Sequence, residues 1–289
     1  MINLFLITSK TKIDLKSKNM IISNKSDKKE IPVSKINNIF LFNKNRIPNA
    51  VLDKTKNISV YSINNHGHIR FLKYPKRKYK NFKNQENIAR YILKINYYQI
   101  KAYIKNMPSY DREIYRENPL LEQVSQLIDL NIDKLKISDI HLILNRLHFS
   151  ILYISQRVKR KYENNSPENI TINLFHSLYI SYLTTFLTKN GINPHQKVIE
   201  YKNGYPDVSR LIFNLLKIHS TILAIKTFDN LIIPRKDFLF GKIKETGILM
   251  IAKIFTENFI HNPKMQLKFN SFWEGMKKIE EGKLSVWEI

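Results

Sequence analysis

Two short runs of positive charge are the residues of this chain best suited to chemistry with a polyanion. Residues 74–84 read Y-P-K-R-K-Y-K-N-F-K-N, which sets Lys76, Arg77, Lys78, Lys80 and Lys83 between Tyr74, Tyr79 and Phe82. Residues 157–161 read R-V-K-R-K and add Arg157, Lys159, Arg160 and Lys161. Ammonium and guanidinium groups at this density neutralise phosphates, and the interleaved rings are available to stack on bases. The dipole at a helix C-terminus accounts for one or two cations in the second run, but not for four. Neither run predicts recognition of a particular nucleotide sequence.

The whole composition points the same way. With 48 Lys and Arg against 24 Asp and Glu, the 289 residues carry a formal charge of +24, and the isoelectric point is about 9.9. Such a balance favours nucleic acid as the partner. An AT-rich gene would raise Lys, Asn and Ile, but it would raise Glu and Asp as well, and they have not kept pace.

Other chemistries find little support. The chain has no cysteine, which removes disulfides, thiolate nucleophiles and Cys-based zinc sites. Its seven glycines form neither a phosphate-cradling loop nor a dinucleotide fingerprint. No G-x-S-x-G elbow marks a hydrolase nucleophile. His141 and His148 are spaced to share a helix face, but no nearby carboxylate completes a metal set, so they read as ordinary helix residues. His66 and His68 flank Gly67 and read as turn residues.

The elements expected to position these groups fall into two classes. Up to residue 73 the apolar runs are short and β-branched or aromatic, at residues 4–7, 20–22, 36–42, 58–63 and 69–72. They predict a β domain at 1–73, too small to have much interior of its own. Residues 74–84 form a basic linker. From residue 85 the period changes to that of helices, as in Ile88, Tyr91, Ile92, Ile95 and Tyr98. Helices are expected near 121–130, 138–162, 169–189, 207–227, 244–261 and 268–281, making 85–289 almost entirely α-helical and the fold class α+β. Ser166-Pro167 supplies a helix start, and Asn190-Gly191 a helix end. No apolar run is long enough for a membrane span or a secretory signal, and a cytoplasmic location is expected, with no membrane partner.

Several of these segments resemble the CRISPR-associated adaptation integrase family, the metal-dependent endonucleases that insert spacers. Pro167 and Asn169 resemble the family's D-P-x-N start, and Gly191 and Pro194 its G-L-D-P turn, at the same 22-residue separation of Asn from Gly. Ile31-Pro32-Val33, the I-F-L-F run at 39–42, I-S-V-Y at 58–61 and Gly67 resemble its strand pattern. Residues 231–235, the following Asp237-Phe238 and Thr246-Gly247 resemble later segments. The resemblance implies dimerisation through the β domains, a small second adaptation protein as partner, and binding of double-stranded or branched DNA.

It also implies where catalysis would reside. Family members hold Mg²⁺ or Mn²⁺ with a Glu, a His and an Asp, so that a DNA 3′-hydroxyl or water attacks a phosphodiester. Those positions fall here at Asn145, Glu200 and Asn214. Two carboxamides supply no charge, and Glu200 alone is left as a metal ligand, which implies weakened or absent catalysis, with Mg²⁺ or Mn²⁺ needed only if activity remains. His176 lies where the family usually has Tyr facing the site. Two other readings stay open at this point. One is an active nuclease or integrase whose rearranged site uses Glu200 with Asp207 or Glu168. The other is a nucleic-acid-binding module outside CRISPR adaptation.

Overall fold

The computed structural model describes residues 4–7, 11–24, 28–42, 51, 53, 58–73, 78–106, 134–156, 166–198, 207–230 and 232–285. The helix expected near 121–130 lies outside them. The strands are β1 (Leu4–Ile7), β2 (Lys12–Lys16), β3 (Asn19–Ser23), β4 (Lys28–Pro32), β5 (Asn38–Phe42), β6 (Ser59–Ile63), β7 (Ile69–Lys73), β8 (Phe238–Leu239) and β9 (Lys242–Ile243). The helices are α1 (Gln85–Lys105), α2 (Ile137–Gln156), α3 (Pro167–Lys189), α4 (Val208–Phe213), α5 (Lys217–Asp229), α6 (Glu245–Phe255) and α7 (Pro263–Glu280). This is an α+β fold with its strands concentrated at the start. The chain divides into two compact units, one of residues 1–80, 165–192 and 227–262, the other of residues 81–164, 193–226 and 263–289. Among the described residues, no helix is long and apolar enough to cross a membrane.

In the first unit β1, β5, β6 and β7 form one sheet in that order, with β5 parallel to both neighbours and β7 antiparallel to β6. Strand β5 is buried along its whole length, as a central strand covered on both faces should be. Its alternate residues serve different layers. Ile39 and Leu41 join Ile13, Met20, Ile31 and Val60 in one apolar cluster. Phe40 instead stacks on its register partner Tyr61, ring centroids 4.8 Å apart. The three-stranded sheet β2-β3-β4 supplies the other half of that cluster. Its outer strands, K-I-D-L-K and K-K-E-I-P, carry too few apolar residues to be read as strands from sequence. Exposed charge on edge strands discourages pairing with another chain.

Helix α3 covers the opposite side of the first unit's core and packs against β7, β9 and α6. The predicted boundary signals are both present. Ser166 caps the helix, its Oγ accepting from the Asn169 amide at 3.3 Å, and Pro167 takes the first turn. Gly191 leaves the end at φ +73°. The Tyr61 hydroxyl donates to the Ser181 carbonyl at 3.0 Å, and Thr185 Oγ1 donates to Asn38 Oδ1 at 2.5 Å. Burial drives the Tyr61 phenol well above its ordinary pKa.

The second unit is helical, and its ends are tied to one another by side chains. Glu280, at the end of α7, accepts from the Lys83 and Asn84 amides at 2.8 and 3.0 Å, just ahead of α1. Asn84 Nδ2 returns the favour to the Ile279 and Glu280 carbonyls. Both helix ends thereby lose orphan backbone groups. The expected single helix over 207–227 is two helices, and 244–261 ends in a π turn at Thr256–Ile260. The two-stranded ribbon β8–β9 interrupts the stretch expected to be almost all helix; strands of two residues leave no periodic signal.

Gly67 is fixed by sterics rather than by the turn alone. At φ +77° it sits so close to α3 that a Cβ would lie 2.7 Å from the Ile170 carbonyl oxygen. Gly67→Ala is expected to destabilise the fold by roughly 2–3 kcal/mol, read as a lower melting temperature.

Candidate functional site

The sequence-derived positions are distributed unevenly over the described residues. Asn145 lies in the middle of α2 and Asn214 in the turn between α4 and α5, both within the second unit. Glu200, Lys76, Arg77, Arg157, Lys159, Arg160 and Lys161 lie outside the described residues. Lys78, Lys80 and Lys83 are exposed, as phosphate contacts require. Phe82 is not available for base stacking. It is 4% exposed, packs edge-on against Trp273, and is clamped by Gln196, which accepts from its amide at 2.7 Å and donates to its carbonyl at 2.9 Å. An aromatic set among cations was read as surface, yet this one closes the core of the second unit.

A side chain positions the turn that carries Asn214. Three successive amides, those of Asn214, Leu215 and Leu216, bond to carbonyls three residues back, so the chain tightens out of α4 before α5 begins. Asn96 of α1 donates Nδ2 to the freed Asn214 carbonyl at 2.6 Å. The Asn214 carboxamide is turned to its own helix and donates to the Leu211 carbonyl at 2.9 Å. Its amide nitrogen, not an anionic oxygen, is therefore committed.

The residue that Asn145 meets is Lys217, the first of α5, which sequence reasoning did not single out. The Lys217 ammonium donates to Asn145 Oδ1, with the residue 8% exposed and the charge 5.4 Å from the centre of the Phe149 ring. Asn145 Nδ2 lies 3.2 Å from His141 Nδ1. Burial first, and then the Lys217 charge, push His141 down to about 4. The imidazole is thus neutral at pH 7. His148 is satisfied in the core by Thr221 at 3.1 Å, as an ordinary helix histidine. His176 is buried within α3 of the first unit.

The described members of this donor set, Asn145 and Asn214, bring no charge to a divalent cation. Asn145 offers one neutral oxygen, which already accepts from a cation, and a second positive charge beside Lys217 would be repelled. Among the described residues no three His, Asp or Glu come together. Asp207 is occupied as the cap of α4: Oδ1 accepts from the Arg210 amide at 2.9 Å and Ser209 Oγ at 2.6 Å, while Oδ2 lies 3.2 Å from His195 Nδ1. Burial works to raise its pKa, but the hydrogen bonds of His195, Ser209 and Arg210, with the Arg210 charge, hold it below the ordinary value. His195 was also missed, since one histidine next to a proline carries no recognisable pattern.

A proton titration checks the arrangement around Lys217. Followed by NMR, His141 is expected to titrate near 4, and Lys217→Met should move it upward but short of 6.5, because burial persists. His219 is likewise pushed to about 4, by burial and then by Lys268 and Lys226. The unfolded chain binds these protons near pH 6.5 and the folded chain near pH 4. Their contribution is therefore complete above 6.5 and is lost as pH falls to 4. Denaturant melts across that window should show stability declining with acidification, less steeply in Lys217→Met.

No protein-family model and no curated protein sequence matches the chain. Solved structures do. A CAS1 protein from Thermotoga maritima superposes with a TM-score of 0.74 at 13% identity, over 96% of each chain. A casposase bound to integration product gives 0.67 at 14% identity, over 99% of this chain and 93% of its own. A chain of a Cas6-RT-Cas1–Cas2 complex gives 0.76 at 11% identity, over 98% of this chain and 35% of the longer one. At these identities the likeness is one of fold, and it extends over both compact units. The chain has the fold of the CAS1 protein and of the casposase.

Proposed function

We propose that this chain is a DNA-binding CRISPR adaptation protein built on the integrase fold, with catalysis weakened or absent. The fold likeness extends over nearly the full length of a CAS1 protein and of a casposase bound to integration product, which supports the integrase-type reading. The formal charge of +24 supports a polyanionic partner. The observation that carries the loss of catalysis is the Lys217 ammonium seated on Asn145. Where an integrase of this family would place a metal-binding carboxylate, this chain has a carboxamide already serving a cation of its own.

On this reading the protein acts as a structural subunit. It binds double-stranded or branched DNA through its basic surfaces, dimerises through residues 1–73 and associates with the small second adaptation protein, as in the neighbour assembled with Cas2. Lys217 then supplies fixed positive charge where an active enzyme uses a metal.

Two measurements test the reading. With a branched DNA substrate, Mg²⁺ or Mn²⁺ should produce no cleavage or strand transfer, while the same DNA should bind equally well in EDTA. Metal-dependent strand transfer abolished by Glu200→Ala would overturn the loss of catalysis. Neutralising Lys76, Arg77, Lys78, Arg157, Lys159 and Arg160 should weaken duplex binding and flatten its salt dependence by about 0.9 in log–log slope per phosphate contact removed. An unchanged slope would remove these clusters from the DNA surface.

A further inference from the structure

The turn before α5 and the first half of that helix carry a stripe of side chains that the neighbouring helices do not close. Leu215, Ile218 and Ile222 recur at helical spacing, and His219 lies between the last two. Leu215 is buried at the start of the stripe. Ile218, His219 and Ile222 are only half-buried. The space beside them is a half-enclosed cavity of about 190 Å³, which Gln99 of α1 and Met265 and Lys268 of α7 help to line. All of these residues belong to the second unit, and neither Asn145 nor Lys217 is among them.

Aliphatic side chains and the Met265 thioether make the walls, which suit an apolar body. Two further groups call for an acceptor. Gln99 Nε2 is buried and, among the described residues, has no hydrogen-bond partner. Such a desolvated donor costs free energy until something accepts from it. The Lys268 ammonium, on an exposed residue, lies 5.8 Å from the centre of the Phe272 ring, one turn along α7. Among the described residues, no Asp or Glu lines the cavity. The local potential is positive: burial first, and then the charges of Lys268 and Lys226, keep the His219 imidazole neutral at pH 7.

We propose that this cavity binds a short aliphatic monocarboxylate of about six to eight carbons. The size follows from the volume. An apolar cavity of about 150 Å³ holds benzene, with its six heavy atoms, so one of about 190 Å³ takes roughly eight, as in hexanoate. The alkyl chain lies along Ile218, Ile222 and Met265, and the carboxylate accepts from Gln99 Nε2 and the Lys268 ammonium, as charge-assisted hydrogen bonds. An amine would be repelled by Lys268 and Lys226, and a neutral ligand would leave the Lys268 charge unmet. A phosphate ester would bring about two charges to the single ammonium of the lining. The inference goes beyond the proposed function and does not rest on it, since the ligand has neither base nor phosphate.

The test uses the full chain at pH 7 and a series of sodium alkanoates, followed by the NMR signals of the His219 ring and the Gln99 side-chain amide. Hexanoate is expected to shift both saturably, the Gln99 amide protons downfield as they begin to donate. Affinity should rise roughly fourfold per methylene from butanoate to octanoate, the effect of one buried CH₂. It should then level off at decanoate, because the cavity is filled. The neutral 1-hexanol should bind about tenfold more weakly than hexanoate, for want of the charge-assisted bonds. Lys268→Met should erase that difference at an unchanged melting temperature, since the residue is exposed, and Ile222→Phe should fill the cavity and weaken every chain length. Should Ile222→Phe melt lower, Lys268→Met still decides. The absence of a saturable shift with any alkanoate would overturn the proposal. So would hexanol binding as tightly as hexanoate, or hexanoate affinity unchanged in Lys268→Met.

Discussion

Helix α3 has almost no face turned to water, and the first unit is arranged around that constraint. Apolar side chains buried on every side of it, among them Ile170, Leu174, Phe175, Leu178, Tyr182 and Leu187, require partners in more than one direction. The sheet supplies one, with Phe40, Tyr61 and Phe71 stacked or edge-on below it. Helix α6 and its π turn supply another, because Phe255 and Phe259 bring their ring centres 4.8 and 4.6 Å from Tyr179. The polar residues of α3 are absorbed rather than solvated. Thr171 and Thr188 bond to carbonyls of the helix itself, and Thr185 reaches across to Asn38. Gly67 is the consequence at the sheet edge, where no side chain fits between turn and helix.

The same constraint explains which parts of the fold were legible. The termini of α3 are written locally, in Ser166-Pro167 and Asn190-Gly191, and β5 is a run of apolar residues that only a central strand would bury. The outer strand β2 was illegible, and β4 was touched only by the resemblance at Ile31-Pro32-Val33, because an edge strand needs few inward residues, here Ile13 or Ile31, and its charges mimic a loop. The break between α4 and α5 was hidden for a different reason. Leu215 and Leu216 continue the helical pattern of apolar residues, and the interaction that stabilises the interruption comes from Asn96, far away in the chain. Periodicity reports burial along a segment; it does not report a donor supplied from another helix.

The candidate site shows the same division between local and distant information. The resemblance to the integrase family implied Asn145, Glu200 and Asn214 as positions of interest, and the residue types alone show that the two carboxamides carry no charge. Nothing local linked Asn145 to Lys217. The link changes the electrostatics: it sets a lysine of 8% exposure beside a neutral oxygen, with its charge 5.4 Å from the centre of the Phe149 ring. Burying an ammonium is costly, and the hydrogen bond to Asn145 and the aromatic face offset part of that cost. A carboxylate at position 145 would favour that ammonium still more, or compete with it for a metal.

Phe240 shows where strain can persist. Among the described residues, only Ser17 and Phe240 adopt positive φ without being glycine. Ser17 also turns a hairpin, between β2 and β3, and its small polar side chain suits that place. Phe240 gains no contact area from its conformation, since burial is the only term by which an aromatic ring repays its backbone, and the ring is exposed. The Asn65 carbonyl, which accepts from the Ile243 amide, and the His66 ring, beside the Gly241 carbonyl, act on the flanking backbone and would serve a glycine at the tip equally well. The local cost is carried by the stability of the rest of the first unit, which over-determines the backbone of the turn.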